Sequence, residues 1–299
     1  MPQTKREQAL NHFILTRFNL RLWWNEDKNH QPIQTEEWLK ERFRLFQTYT
    51  WPSLRAQTNQ DFKWICLFDK DTPDSYKEQI QLLQSQWDSF LPYYCGEKET
   101  KQFQRYFKYL VYSNSDKEQE SLLTTYLDND DALHIDFIKD VQERAKKLQY
   151  NTIISYQYGI QYYEEMNIAV RIPYKNNHFL TYYERFSDHL RTVWDFWHYS
   201  IYKYPHIAIE LVDNKNTPRW IETIHKGNID NDVKMTLHHH LITRKDFLYN
   251  YGINISLERK TTSCSRFISV FIPRLWKQII RRGKSKLHSK KKRIKNGTH

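Results

Sequence analysis

The chain has 299 residues, with six Gly, nine Pro and 16% aromatic residues. This length can bury a sizeable core, and so little Gly and Pro with so many aromatic residues excludes a disordered or linker-rich protein. The net charge of +11 arises entirely after Pro273, where eleven Lys and Arg occur without an Asp or Glu. The rest of the chain is formally neutral, which argues against a nucleic-acid-binding surface there.

The three cysteines, Cys66, Cys95 and Cys264, match no disulfide framework or metal-binding spacing. We expect them to be reduced thiols in a reducing compartment. The first thirty residues contain no apolar signal region, and no stretch reaches the roughly 18 uncharged apolar residues that a membrane span needs. The sequence therefore predicts a cytoplasmic protein.

Strands and helices alternate in the first half of the chain. The pattern predicts strands at residues 12–18, 62–68, 90–95 and 122–127. It predicts helices from Thr35 to Pro52, over 74–88 and 99–113, and from near His134 onward, with Pro52 ending or kinking the first. This alternation is typical of an α/β fold, in which ligands bind at the carboxyl ends of the strands.

The second half is less regular. Residues 152–156 read as a strand and 160–172 as a hairpin, whereas 174–262 show no clear period. We expect one domain over 1–262, with a first half over about 10–150 and a second half over about 151–262. An amphipathic segment and basic tail over 263–299 follow it.

Three carboxylates follow the 122–127 strand within four positions: Asp128, Asp130 and Asp131. Their mutual repulsion costs stability unless a cation offsets it, so the cluster favours a site where Mg²⁺ or Mn²⁺ bridges to a diphosphate. The alternative is a solvated acidic turn, with Asp130 or Asp131 capping the next helix.

Two sets of residues resemble a known family. Leu67-Phe68-Asp69, followed sixty residues later by Leu127-Asp128-Asn129-Asp130-Asp131, resembles the nucleotide-sugar glycosyltransferases of family 2. Phe13-Ile14-Leu15-Thr16-Arg17-Phe18-Asn19, taken with residues 127–134, is similar to the bacterial rhamnosyltransferases. The resemblance implies the GT-A fold, a Rossmann-like α/β arrangement with a mixed central sheet flanked by helices. It also implies that about 10–150 is the nucleotide-sugar half of the domain and about 151–262 the acceptor half.

The resemblance also implies roles for individual residues. Thr16 and Arg17 would cradle the nucleotide, and Asp69 would bind its base or ribose. Asp128 and Asp130, with Asp131 beside them, would hold Mn²⁺ or Mg²⁺ and the donor diphosphate. The cation would offset the charge that develops on the nucleoside diphosphate leaving group.

Two further residues are candidates from the second half. An inverting transferase needs a carboxylate to deprotonate the acceptor hydroxyl, and Glu184 is our candidate; the alternative is an exposed Glu on a helix face. His225 would complete the metal shell, or else it is a structural histidine. The contiguous His238, His239 and His240 point in different directions on any regular element, which disfavours a zinc site.

The tail has two interpretations. Its apolar and basic residues suit contact with an anionic membrane surface, where lipid-linked acceptors lie; alternatively, a last core helix precedes a disordered tail.

The sequence thus predicts a metal-dependent inverting glycosyltransferase. It would move a sugar, with L-rhamnose from a dTDP donor as the candidate, onto a surface glycan or lipid-linked acceptor, with no nucleic-acid partner. The alternatives are a nucleic-acid-binding protein acting through its tail and an inactive GT-A scaffold.

Overall fold

The computed structural model describes residues 10–22, 26, 32–226, 228 and 240–257, together with 264, 265, 268, 269, 272 and 276. The described strands are β1 (Asn11–Arg17), β2 (Lys63–Asp69), β3 (Phe90–Cys95), β4 (Ser121–Tyr126), β5 (Ala132–Leu133), β6 (Thr152–Tyr156), β7 (Tyr158–Tyr163), β8 (Ile168–Pro173), β9 (Leu180–Arg185), β10 (Ala208–Val212), β11 (Trp220–Ile224) and β12 (His240–Ile242). The α-helices are α1 (Glu36–Leu45), α2 (Trp51–Arg55), α3 (Asp74–Ser85), α4 (Glu97–Lys101), α5 (Phe103–Asn114) and α6 (Phe137–Ala145).

The main sheet has seven strands in the order β10-β6-β9-β4-β1-β2-β3. Strands β4, β1, β2 and β3 are parallel, and β9 runs antiparallel to both β4 and β6. Apolar residues cover both faces of this sheet, which is why its strands read as nearly continuous hydrophobic runs. The mixed central sheet flanked by helices confirms the predicted α/β fold class.

A second sheet of five strands has the order β12-β8-β7-β11-β5. The predicted hairpin forms its centre, since β7 and β8 pair antiparallel. β11 pairs parallel to β7 and antiparallel to the two-residue strand β5, which directly follows the acidic cluster. This pairing brings the end of β11 to the aspartates.

The first helix differs from its prediction at Pro52. Thr35 caps α1 as expected, its Oγ1 accepting the Trp38 N–H at 3.2 Å. A π-helical turn over Phe46–Thr50 then leads directly into α2, where Pro52 lies near the helix start. The chain therefore stays helical to Arg55, because an N–H is not required of a residue in the first turn.

The region after residue 174 also differs from its prediction. It supplies β9 and β10 to the main sheet and β11 and β12 to the second sheet. These strands are short and combine partners from distant parts of the chain, so no local periodicity revealed them. Cys66, Cys95 and Cys264 are free thiols, as expected.

None of the helices in the described part of the chain is long and apolar enough to cross a membrane. Most of the tail over 263–299, together with His238 and His239, lies outside the described residues.

Candidate active site

The predicted site residues come from neighbouring parallel strands. Leu15 in β1 pairs with Tyr126 in β4, so Arg17 and Asp128 follow at the same edge of the sheet. Asp69 ends β2, and in the β1–β2 register Arg17 pairs with Leu67. The carboxyl ends of β1, β2 and β4 therefore meet where such folds bind their ligands.

Asp131 is completely buried and accepts hydrogen bonds on both oxygens. Its Oδ1 accepts the backbone N–H of Thr223 at 2.9 Å, and its Oδ2 lies 2.9 Å from Nε2 of His178. Burial raises the pKa of Asp131 to about 7. Burial lowers the pKa of His178, but the bond to Asp131 and the charge of Asp128 outweigh it and raise the value. The pair therefore holds a proton between an imidazole and a carboxylate.

His178 is held in place by an aromatic stack behind it. The ring of the next residue, Phe179, stacks on Trp220 at 4.6 Å between centroids. Gly159 leaves the space that the indole needs, since a Cβ there would lie 2.0 Å from the Trp220 ring. The indole Nε1 donates to the carbonyl of Tyr156 at 2.9 Å. The two sheets thus lock the segment that presents His178 to the aspartates.

Asp128 is the more accessible of the two aspartates near His178, with 29% of its side chain exposed. The hydroxyl of Tyr126 donates to its Oδ1 at 2.7 Å, and its Oδ2 lies 3.7 Å from Nε2 of His178. One ligand atom from each of Asp128, Asp131 and His178 falls within 4.8 Å of the others. Two carboxylates and an imidazole at this spacing fit a divalent metal ion.

Asp130 faces a different set of partners. Its Oδ2 accepts from Nη1 of Arg42 at 2.6 Å and lies 2.9 Å from Nε2 of His225. Burial raises the pKa of Asp130, but the Arg42 charge and the His225 hydrogen bond outweigh it and hold the value below its usual range. Asn129 completes the turn, because its amide donates to the carbonyl of Phe18 at 2.7 Å.

The four predicted metal ligands therefore fall into two groups. Asp128 and Asp131 meet around His178, whereas Asp130 contacts both His225 and Arg42. The helix-cap alternative does not describe either aspartate: α6 begins later, after Asp136, and Asp131 bonds to β11 instead.

A cleft of about 240 Å³ opens beside Asp69, lined by the segments that follow β1 and β2 and by the starts of α1 and α3. Asn19 holds the backbone at Asp69, since its Oδ1 accepts the Asp69 backbone N–H at 3.0 Å while its amide donates to Thr72 at 3.0 Å. The Asp69 carboxylate is oriented by its own turn, because its Oδ1 accepts the Asp71 N–H at 2.8 Å. Arg21 lies 3.7 Å from Asp69 and is largely exposed. The remaining lining residues are Gln34, Thr35, Glu36, Leu39, Asp71, Pro73, Ser75 and Tyr76.

Thr16 and Arg17 occupy opposite environments although they are adjacent. The Thr16 side chain is completely buried, and its Oγ1 accepts from Nε1 of Trp64 at 2.9 Å, so it stabilises the core. The guanidinium of Arg17 lies 4.2 Å from the Trp194 ring and 5.0 Å from the Phe103 ring. Of the two residues, only Arg17 has a side chain directed toward the Asp128 end of the sheet.

The structure does not bring Glu184 to the aspartates. Glu184 pairs with Leu122 near the start of β4, four residues and on the order of 13 Å before Tyr126. It lies buried in β9, not on an exposed helix face as the alternative held, and its Oε1 accepts the Arg191 N–H at 2.8 Å. A general base must reach the acceptor hydroxyl. The β4–β9 register therefore corrects the assignment of Glu184 as the general base.

Sequence reasoning missed two members of the site, Arg42 and His178. In the sequence, Arg42 shares a helix face with the apolar residues Leu39 and Phe46. A charge on a buried face needs a partner, and this was a usable signal. The sequence contained no such signal for His178, because it lies 47 residues from Asp131 and only the strand pairing brings the two together.

The comparisons with known proteins come from sequence and from structure. A family model described as "Putative rhamnosyl transferase" matches residues 16–237. A search of curated proteins found no match. Among solved structures, S. aureus TarS residues 1–349 aligns at 9% identity with a TM-score of 0.41, covering 87% of this chain and 72% of that one. The same TarS fragment in complex with UDP gives a TM-score of 0.42, also at 9% identity and with the same coverage. The family model covers most of the chain, so the protein belongs to the putative rhamnosyl transferase family and is a glycosyltransferase.

Proposed function

We propose that this glycosyltransferase uses a nucleoside diphosphate sugar and a divalent cation held by Asp128, Asp131 and His178. The observation that supports the cation site is the convergence of their three ligand atoms within 4.8 Å at the carboxyl end of β4. Mn²⁺ or Mg²⁺ bound there would neutralise the charge that develops on the diphosphate leaving group.

Other residues of the site would bind the nucleotide and set the charge beside the cation. Asp69, whose backbone Asn19 holds, would accept a hydrogen bond from the ribose or base in the adjoining cleft. Asp130 stays ionised beside Arg42, so its carboxylate and that guanidinium form a fixed dipole next to the cation site. His225 lies beside Asp130 and is not one of the three proposed ligands, so its role in completing the metal shell stays a prediction.

The donor, acceptor and stereochemistry are parts of the same proposal. We take L-rhamnose as the sugar because the family model is described as a rhamnosyl transferase, and dTDP as its nucleotide. The transfer would invert the anomeric centre and place the sugar on a growing surface glycan or a lipid-linked acceptor. Glu184 has no role in this scheme, since the β4–β9 register keeps it at the far end of the strand.

A peripheral contact with an anionic membrane is supported by the described residues of the tail. Ile268, Ile272 and Trp276 are helical, are spaced four apart and are 54%, 45% and 62% exposed. Residues at this spacing share one helix face. The lysine- and arginine-rich sequence that follows would attract anionic headgroups.

A thermal-shift screen tests the proposal. The protein is heated with dTDP, UDP and GDP, each with and without Mn²⁺, since a ligand that binds only the folded state raises its stability. We expect dTDP with Mn²⁺ to raise Tm most, by about 2–4 °C for each kcal/mol of binding linkage. A Tm that no nucleotide changes, with or without Mn²⁺, would contradict it.

A further inference from the structure

An exposed aromatic patch lies in the segment between β9 and β10. It consists of Trp197, Tyr199 and Tyr202, which are 61%, 52% and 54% exposed. The His198 ring links the first two: its centroid lies 5.6 Å from that of Trp197 and 4.0 Å from that of Tyr199. Three large aromatic side chains exposed within six residues are unusual for a surface that binds nothing.

The backbone beneath this patch is anchored to the main sheet. Phe196 packs on Tyr182 of β9 at 4.6 Å and on Tyr204 at 5.2 Å between ring centroids. The hydroxyl of Tyr204 accepts the backbone N–H of Trp197 at 3.0 Å, and Ile201 is completely buried. The exposed rings therefore stand on a supported turn, which lowers the entropy lost when a ligand orders them.

The patch adjoins the candidate active site through two histidines. The ring of His198 lies 6.1 Å from that of His178, which bonds to Asp131 and approaches Asp128. His178 precedes β9, which lies on the opposite side of β4 from β2 in the main sheet. A ligand resting on Trp197 and Tyr199 would thus reach the Asp128 carboxylate, which is 29% exposed, from the side away from the Asp69 cleft. Donor and acceptor need opposite approaches to one reacting carbon in an inverting transfer.

We propose that Trp197, Tyr199 and Tyr202 form the acceptor subsite and bind a carbohydrate chain. This inference rests on the proposed function and specifies the partner of the same site. Pyranose rings present faces of C–H groups that pack against aromatic rings, while the indole N–H and phenol O–H remain available for sugar hydroxyls. The patch is built from such amphipathic rings and contains no exposed Leu, Ile or Met among its described residues, which favours a glycan over an apolar lipid or helix.

Saturation-transfer NMR on the full chain tests this subsite. The probes are oligosaccharides of defined composition ending in L-rhamnose, D-glucose or N-acetyl-D-glucosamine, with the protein's aromatic protons irradiated. We expect ring C–H signals from at least one probe. Trp197→Ala and Tyr199→Ala should each weaken its binding by about five- to tenfold, as the loss of a stacking ring worth roughly 1 kcal/mol predicts.

Two control variants separate stacking from general damage. Trp197→Phe keeps an aromatic face and should retain most of the affinity, and Tyr109→Ala removes a 63% exposed ring on α5 without effect. The affinity for dTDP with Mn²⁺ should be the same in all four variants. The inference is overturned if no probe receives saturation from the wild-type protein, or if Trp197→Ala and Tyr199→Ala bind it as the wild type does. Failure of the proposed function would show differently, as a wild-type protein that binds no nucleoside diphosphate.

Discussion

Nη1 of Arg42 lies 2.6 Å from Oδ2 of Asp130, and both side chains are more than nine-tenths buried. Arg42 belongs to α1 and Asp130 to the turn after β4, so this ion pair ties the first helix to the acidic turn. His225, at the end of β11, approaches the same oxygen at 2.9 Å. The site is thus assembled from three segments that are distant in sequence, and its ion pair supports the fold as well as the chemistry.

The Arg42–Asp130 pair predicts a large loss of stability when one partner is removed. Arg42→Ala leaves a buried carboxylate without its counter-charge, and we expect it to lower the free energy of unfolding by about 3–5 kcal/mol. Urea denaturation measures this loss. The double variant Arg42→Met with Asp130→Leu should recover much of it, because replacing both charges by apolar groups removes the uncompensated one. Equal destabilisation by the single and double variants would argue that the pair does not act as a unit.

The two groups of carboxylates predict different effects on metal binding. Asp131→Asn and His178→Ala should each weaken Mn²⁺ binding by about tenfold or more, because each removes one of the three proposed ligands and the hydrogen bond that orients the other. Titration of free Mn²⁺ by electron paramagnetic resonance measures the affinity. Asp130→Asn serves as the comparison, and the proposed ligand set predicts the smaller effect for it. The reverse order would assign the ion to Asp130 and His225.

Replacing Asp69 should lower the affinity for the nucleotide without unfolding the protein. The Asp69 carboxylate lines the cleft and accepts the Asp71 N–H, while Asn19 holds the Asp69 backbone. Asp69→Asn should weaken dTDP binding by roughly 1–3 kcal/mol, the usual range for a charged hydrogen bond. Calorimetry measures the change. Asp74→Asn is the matched control, since its side chain is 92% exposed and does not line the cleft; an equal effect of the two would count against a specific role for Asp69.

The burial of Glu184 should make the stability of the protein depend on pH. Burial raises the pKa of Glu184 from the usual 4.5 to about 8. The folded protein therefore holds a proton that the unfolded chain releases near pH 4.5, so this contribution to stability is complete below pH 4.5 and is lost as the pH rises to about 8.

Glu184→Gln tests this dependence because the amide is neutral at every pH and can still accept the Arg191 N–H. We expect it to match the wild type at pH 4 and to become the more stable protein as the pH rises to 8.5. A pKa change of this size corresponds to up to about 5 kcal/mol, and each kcal/mol raises Tm by roughly 2–4 °C in a domain of this length. Thermal unfolding across this range measures the difference. A constant difference between the two proteins at all pH values would show that Glu184 does not titrate as a buried carboxyl.

The sequence was most informative where local pattern decides structure. The continuous apolar runs of β1 and β2, the Thr35 cap and the position of the aspartates after β4 all followed from residues close together in the chain. Even Pro92 is compatible with its predicted strand, because β3 lies at the edge of the main sheet, where a missing N–H is tolerated.

Long-range pairing set the limit of prediction. His178 reaches Asp131 only because β9 inserts antiparallel between β4 and β6, and no spacing in the sequence encodes that insertion. The same pairing carries Glu184 to the far end of β4, where a one-dimensional search for acidic residues could not place it. The aspartates were found as a motif, whereas their division between His178 and Arg42 required the folded structure.

The central claim is that a divalent cation and a nucleoside diphosphate meet at Asp128 and Asp131. Calorimetric titration of dTDP into the protein, with Mn²⁺ and with a chelator, tests it most directly. For the wild type we predict that Mn²⁺ raises the dTDP affinity by about tenfold or more, equivalent to roughly 1.4 kcal/mol, and that a double variant with Asp128→Asn and Asp131→Asn loses this gain. The same dTDP affinity with and without Mn²⁺ in the wild type would contradict the account.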